Sequence, residues 1–289
     1  MKLSVSSPYG SLCLLLVSMI SIQCSASLAK TIFPLVGPEA TTALRLLVSA
    51  AILLVVIRPW HRQIPRQSWM PIILYGLSTG CMNMCFYQAI SRIPLGVAVG
   101  LEFTGPMAVA MLSSRKLTDF VWIVLAATGL YLLLPLRATD NVDPLGVLFA
   151  LCAGFCWGLY IIFGKKAGSS GDSAASVALG MFVGACFIFP FGLASAGTAM
   201  FAPSILPLAI VLGIFSSALP YGLEIYALKN LPSRTFGILM SLEPALAALS
   251  GFVFLRETLT GSQWLALFCI IVASIGATVS ARGKQKSRT

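Results

Sequence analysis

Ten apolar stretches, each close to 20 residues long, follow one another along this chain with only short connections between them. About 20 apolar residues is the length that carries an α-helix across the roughly 30 Å hydrocarbon core of a bilayer, where each backbone N–H and C=O must be satisfied within the segment itself. Bounded by Gly, Pro and charged residues, the stretches fall at 12–29, 41–57, 70–90, 95–113, 120–136, 145–163, 174–196, 205–228, 235–255 and 262–281. They use up most of the 289 residues and leave no room for a soluble domain. The chain is 58% hydrophobic and 10% charged, a surplus that water would meet as apolar patches and that a bilayer meets as ordinary lipid-facing surface. The expected fold is an all-α membrane protein of about ten transmembrane helices, with the lipid bilayer as its solvent.

The net charge of +10 is spread through the short connections and does not form one basic face, which argues against a nucleic-acid partner. Membrane topology accounts for it instead. With the N-terminus in the cytoplasm, Lys2, Arg58, Arg62, Arg66, Arg115, Lys116, Lys165, Lys166, Lys229, Arg234, Arg282, Lys284, Lys286 and Arg288 lie inside, fourteen of the nineteen Lys and Arg. Lys30, Arg92, Arg137 and Arg256 lie outside and Arg45 within a span, so the excess of basic residues places both termini in the cytoplasm. Lys2 ahead of an apolar run, with Ser25-Ala26-Ser27 behind it, has the look of a cleavable leader. Its removal would leave an odd nine spans, so the segment is expected to stay as the first helix.

Laid on 219–244 without a gap, residues 81–106 align Ala89-Ile90 and Ile93-Pro94 with Ala227-Leu228 and Leu231-Pro232, and Pro106 with Pro244. The expected organisation is therefore a first five-helix repeat over 1–140 and a second over 141–289. Five is odd, so the second copy enters the membrane from the opposite side. That is the inverted repeat of secondary transporters, with a site near the midplane between halves.

Charges inside spans carry the chemical signal, because one near the bilayer centre costs at least about 2.5–3.5 kcal/mol and persists beside water or a partner. Glu102 stands in Leu101-Glu102-Phe103-Thr104-Gly105-Pro106 and Glu243 directly before Pro244, each beside a helix break that frees backbone carbonyls toward a cavity. Both are expected to carry protons. Glu224 is less favoured, lying near the inner interface and Lys229. Arg45 either holds a substrate carboxylate through its guanidinium or neutralises Glu102 or Glu39, and Lys30 is expected to snorkel outward. Gln23, Asn83, Tyr87, Trp157 and Tyr160 offer hydrogen bonding and aromatic surface to a small polar substrate.

All eight cysteines fall within apolar spans, so no disulfide framework is expected, and the pairs Cys81/Cys85 and Cys152/Cys156 read as small packing residues in preference to a metal site. No GxxxxGK[ST] is present to bind ATP, and no H-E-x-x-H; with His61 as the single histidine, the chain reads as a non-enzyme without cofactor or metal.

Ten spans in two halves, each with its own Pro-marked break, resemble the drug/metabolite transporter superfamily and its EamA-like domain over nearly the whole chain. More narrowly, the runs SIQCSASLAKTIFPLVGPEATTALRL (21–46), IPLGVAVGLEFTGPMAVA (93–110) and SSALPYGLEIYALKNLPSRTFGILMSLEPALAALSGFVFLRETLT (216–260) are similar to bacterial exporters of threonine and homoserine. The resemblance implies export of small amino acids across the bacterial inner membrane by proton antiport, with Glu102 and Glu243 inside the family's recurring segments. Two other readings stay open. One is the same machine with another metabolite or a drug as cargo; the other is a non-transporting membrane component whose polar residues only hold helices together.

Overall fold

A computed structural model describes residues 8–112, 117–133, 143–169, 172–220, 223–224 and 239–281. Every regular element among them is helical: α1 (Pro8–Ile57), α2 (Trp69–Ile90), α3 (Leu95–Glu102), α4 (Thr104–Leu112), α5 (Leu117–Leu133), α6 (Pro144–Ser169), α7 (Ser173–Ala196), α8 (Leu206–Gly213), α9 (Glu243–Leu255) and α10 (Gly261–Ala281), with short 3-10 turns and one π-turn at Ile214–Ala218. Three helical stretches, 10–61, 144–168 and 173–201, are each long and apolar enough to cross a membrane by length and composition. Large apolar side chains such as Val56, Phe155, Phe254 and Phe268 point outward, while the interior is rich in Ala, Gly, Ser and Thr. This inversion of the soluble pattern follows from lipid being as apolar as leucine, so that helices associate through close backbone approach and polar contacts.

The helix boundaries refine the sequence expectation in three places. Residues 30–40, left as a connection by the apolar pattern, are helical apart from Gly37, whose φ of 78° and ψ of 163° break α1 into two arms. Glycine takes this left-handed conformation without a Cβ penalty, and Pro38 next to it has no N–H to continue the ladder. At 1.5 Å per residue the 50 residues of α1 amount to about 75 Å of helix, more than two hydrocarbon thicknesses. The expected single span at 95–113 is interrupted at Phe103, between α3 and α4. Pro106 has no N–H for the Glu102 carbonyl four residues earlier, so the ladder lapses there. Likewise a turn at 241–242 precedes α9, which opens on Glu243 and Pro244. Parts of the spans expected at 120–136, 205–228 and 235–255, the second copy of the repeat motif around Pro232, and Lys2, Arg115, Lys116, Arg137, Lys229, Arg234, Arg282, Lys284, Lys286 and Arg288 lie outside the described residues.

Helix α2 packs along α6 and α7, α1 along α7, α5 along α10, and α9 against α3 and α1. Polar contacts sort into two ends. At one, Arg62 pairs with Asp172 at 3.2 Å, and Asp172 also caps α7 by accepting from the N–H groups of Ala174 and Ala175. At the other, Lys30 meets Glu257 at 2.5 Å, Arg92 meets Asp143 at 3.4 Å, and Glu39 accepts from Gln88 and from Ser195 at 3.2 Å. The second arm of α1 therefore runs antiparallel to α7, with Glu39 beside the end of α7 and Arg58 toward its start.

Candidate functional site

Helices α3 and α9 enter from the same end of the protein in opposite senses. Gly96 of α3 lies so close to Ala248 of α9 that a Cβ on the glycine would sit 2.7 Å from the Ala248 Cβ. Glu102 ends α3 seven residues after Leu95, roughly 11 Å in at 1.5 Å per residue, and Glu243 begins α9 twelve residues before Leu255, roughly 18 Å in. Both carboxyl groups thereby reach the middle of the bundle. The break at Phe103 is braced from α6, where a Cβ on Gly154 would lie 2.6 Å from the Glu102 carbonyl oxygen, so only glycine allows this approach.

Between these helices lies a cavity of about 500 Å³, also walled by both arms of α1, by α2, α6 and α10, and by Ser216, Ser217, Pro220 and Glu224. Seven of the eight site residues expected from sequence line it: Gln23, Arg45, Asn83, Glu102, Trp157, Tyr160 and Glu243. Tyr87 does not reach the wall. It is fully buried one layer behind, with the Arg45 guanidinium 4.8 Å above its ring and Phe33 packed beside it at 5.4 Å, and so supports Arg45 from below.

Arg45 is 7% exposed and makes no ion pair among the described residues, and its Nε has no hydrogen-bond partner there. Of the two structural partners the sequence offered, Glu39 is engaged by Gln88 and Ser195, while Glu102 lines the same cavity and feels the Arg45 charge without a close ion pair. Gln23 Oε1 is likewise buried without a partner among the described residues, whereas Asn83 donates to the Thr79 carbonyl at 2.8 Å. Trp157 stands edge-on to Phe103 at 5.7 Å, and Tyr160 packs on Tyr75 at 4.9 Å.

Two sequence expectations are corrected by packing. Glu224 lines the cavity and accepts a 2.9 Å hydrogen bond from Ser18, although its position near an interface had made it a weak candidate. Lys30, expected to snorkel outward, turns onto Glu257 and the Ile93 carbonyl. The wall also uses residues that no motif marked, including Met82, Phe86, Met181 and Met240, whose apolar side chains looked like any others in a span. Chemically, the cavity sets one guanidinium and three carboxyl groups around an apolar, adaptable surface. That arrangement suits a small ligand bearing both a carboxylate and an ammonium group.

An all-helical membrane bundle whose central cavity sets charged groups in an apolar wall has the build of a membrane transporter, and the chain belongs to the EamA-like transporter family, which it matches over residues 10–134 and again over 144–279. Among its relatives, the threonine/homoserine exporter RhtA of Salmonella typhimurium (strain LT2) is 51% identical over 269 residues, covering 93% of this chain and 91% of that one. RhtA of Escherichia coli (strain K12) is 50% identical over 274 residues, covering 94% and 92%. The uncharacterized transporter YwfM of Bacillus subtilis is 26% identical, covering 87% of each chain. A protein crystal structure at 18% identity superposes with a TM-score of 0.62 over 94% of this chain and 99% of that one, a likeness of fold.

Proposed function

We propose that this protein exports small amino acids, threonine and homoserine among them, across the bacterial inner membrane in exchange for protons. Residues 1–140 and 141–289 act as two inverted five-helix halves that rock about the central cavity, with both termini in the cytoplasm. The observation that carries the reading is the Arg45 guanidinium, without an ion pair among the described residues, lining the same cavity as Glu102 and Glu243. A zwitterion needs both signs of charge within one molecule's reach. Arg45, held on Tyr87, takes the carboxylate; Gln23, Asn83 and Tyr160 complete the polar contacts, and Trp157 packs on the aliphatic part. Glu102 and Glu243 alternate between proton and substrate ammonium, so that loading one releases the other. The half-and-half match to a transporter family and the identity to two exporters of threonine and homoserine support the cargo class.

Counterflow of labelled threonine and homoserine in proteoliposomes, with and without an imposed pH gradient, tests cargo and coupling together. Uptake against unlabelled amino acid, accelerated by the gradient, is expected; no exchange of either amino acid refutes the reading. A second cargo class is favoured by one feature, a cavity of about 500 Å³ with methionine and aromatic walls, which has room for bulkier metabolites. Competition by larger amphipathic amines against homoserine separates the two.

A further inference from the structure

Outward from the cavity, the first arm of α1 meets α9 through a series of polar contacts. The backbone carbonyl of Gln23, whose side chain lines the cavity, accepts from the Ser250 hydroxyl at 3.0 Å. One turn on, the hydroxyls of Ser27 and Ser250 share a 2.8 Å hydrogen bond. Almost a turn further, Lys30 Nζ donates to Glu257 Oε1 at 2.5 Å and to the Ile93 carbonyl at 3.1 Å. Positions 23, 27 and 30 are the i, i+4, i+7 face of a helix, so these contacts form one continuous seam from the cavity toward the protein surface.

Glu257 is aimed at this seam by the backbone. Arg256, at φ 54°, ends α9 in the left-handed conformation, and the Glu257 N–H closes back on the Gly251 carbonyl at 3.1 Å. Such a conformation is disfavoured for a residue with a Cβ and persists where the surroundings fix it. The second Glu257 oxygen accepts from the Leu95 N–H at 2.7 Å, at the first residue of α3, whose last residue is Glu102. One carboxylate therefore ties α1 and the start of α3, from the first half of the chain, to the end of α9 in the second.

The seam has the physical character of a gate. Its ion pair is partly reached by solvent, with side chains 23% and 14% exposed, and ion pairs and hydrogen bonds at that depth exchange for water at little net cost. An apolar seam of the same length would separate at the cost of its whole buried area. We propose that Lys30 and Glu257 are positioning residues that hold the outer end of the transport path closed and register α3, so that Glu102 faces the cavity while the seam is shut. The proposal rests on the exporter reading for its direction, outer meaning the end bearing Lys30, Arg92 and Glu257.

The test measures the apparent KM for labelled homoserine separately in inside-out and right-side-out membrane vesicles. Lys30→Met and Glu257→Gln open the seam and shift the population toward the outward-facing state; Glu257→Gln still offers an acceptor to the Leu95 N–H. Apparent affinity falls with the competent fraction, so the KM at the inner face should rise about tenfold while that at the outer face does not rise. Lys30→Arg keeps the charge and should stay near the wild-type ratio. A merely structural role would lower the amount of active protein with the two KM values unchanged. Equal changes at both faces, unchanged values, or a Lys30→Arg split as large as that of Lys30→Met overturn the proposal. A readout independent of cargo uses Ser217→Cys in the cavity, scored above the labelling of the same protein without it. A membrane-impermeant thiol reagent added outside should label it several-fold faster when Lys30→Met is also present, and an unchanged rate overturns the gate. Absence of homoserine flux in wild-type vesicles, by contrast, overturns the exporter reading alone.

Discussion

Replacing Arg45 with alanine separates a substrate-binding cation from a structural one. A charge-assisted hydrogen bond to a carboxylate contributes about 1.5–3 kcal/mol, and the bidentate fork of arginine belongs at the upper end. At RT of about 0.59 kcal/mol that loss corresponds to a roughly 13- to 160-fold rise in KM for homoserine. The amino alcohol lacking the carboxylate should inhibit wild type and variant with nearly equal constants, having nothing to lose. Fold stability moves differently. Arg45 makes no close ion pair among the described residues, so the loss is mainly the contact with the Tyr87 ring 4.8 Å away, about 2 kcal/mol for a desolvated cation, beside a longer-range attraction for the Glu102 carboxyl across the cavity. Against it stands the relief of no longer burying a cation in the membrane, at least about 2.5 kcal/mol. The two nearly cancel, and thermal unfolding in detergent should shift by only a few degrees. Breaking a buried ion pair would instead cost about 3–5 kcal/mol. Counterflow with both compounds, beside a melting curve, is the assay. Equal loss for amino acid and amino alcohol, together with a large fall in Tm, would refute the substrate role.

Glu102→Gln keeps size and hydrogen bonding but removes the exchangeable proton, so pH-driven export should vanish while homoserine exchange without net proton movement survives; if Glu243→Gln shows that split and Glu102→Gln does not, the proton belongs to Glu243. Gly154→Ala places a Cβ 2.6 Å from the Glu102 carbonyl oxygen and should cost about 1–3 kcal/mol, read as a lower Tm with weakened transport; an unchanged Tm would mean that the contact between α3 and α6 is slack. Tags at either end of the chain should be accessible only from the cytoplasm, and a periplasmic C-terminus would overturn the ten-span topology.

Much of the site was legible because burial in a membrane is expensive. Glu102, Glu243 and Arg45 stand out in any apolar run for that reason alone, and all three line the same cavity. Pro106 and Pro244 gave away the breaks, since a missing N–H acts on its own turn and needs no tertiary partner. The place of Glu224 on the cavity wall was not legible, because depth was judged by distance from a span end, whereas its partner, Ser18, lies 206 residues away on α1. Tyr87 had the right chemistry and the right helix, yet faces the underside of Arg45.

The order of apolar segments, the distribution of basic residues and the Pro-marked breaks are local properties, each acting within a turn or two or across one bilayer thickness, and so the sequence by itself determined an all-helical membrane protein with charged groups at helix interruptions. The rotation of each helix about its axis is not local. It is decided by which small residues let backbones meet, as Gly154 does beneath the Glu102 carbonyl, and by which distant groups satisfy one another, as Lys30 and Glu257 do across 227 positions of sequence. Only the tertiary structure therefore decided that Gln23, Arg45, Asn83 and the three carboxyl groups open onto one cavity, while Tyr87 stands behind it and Lys30 is drawn inward from the surface.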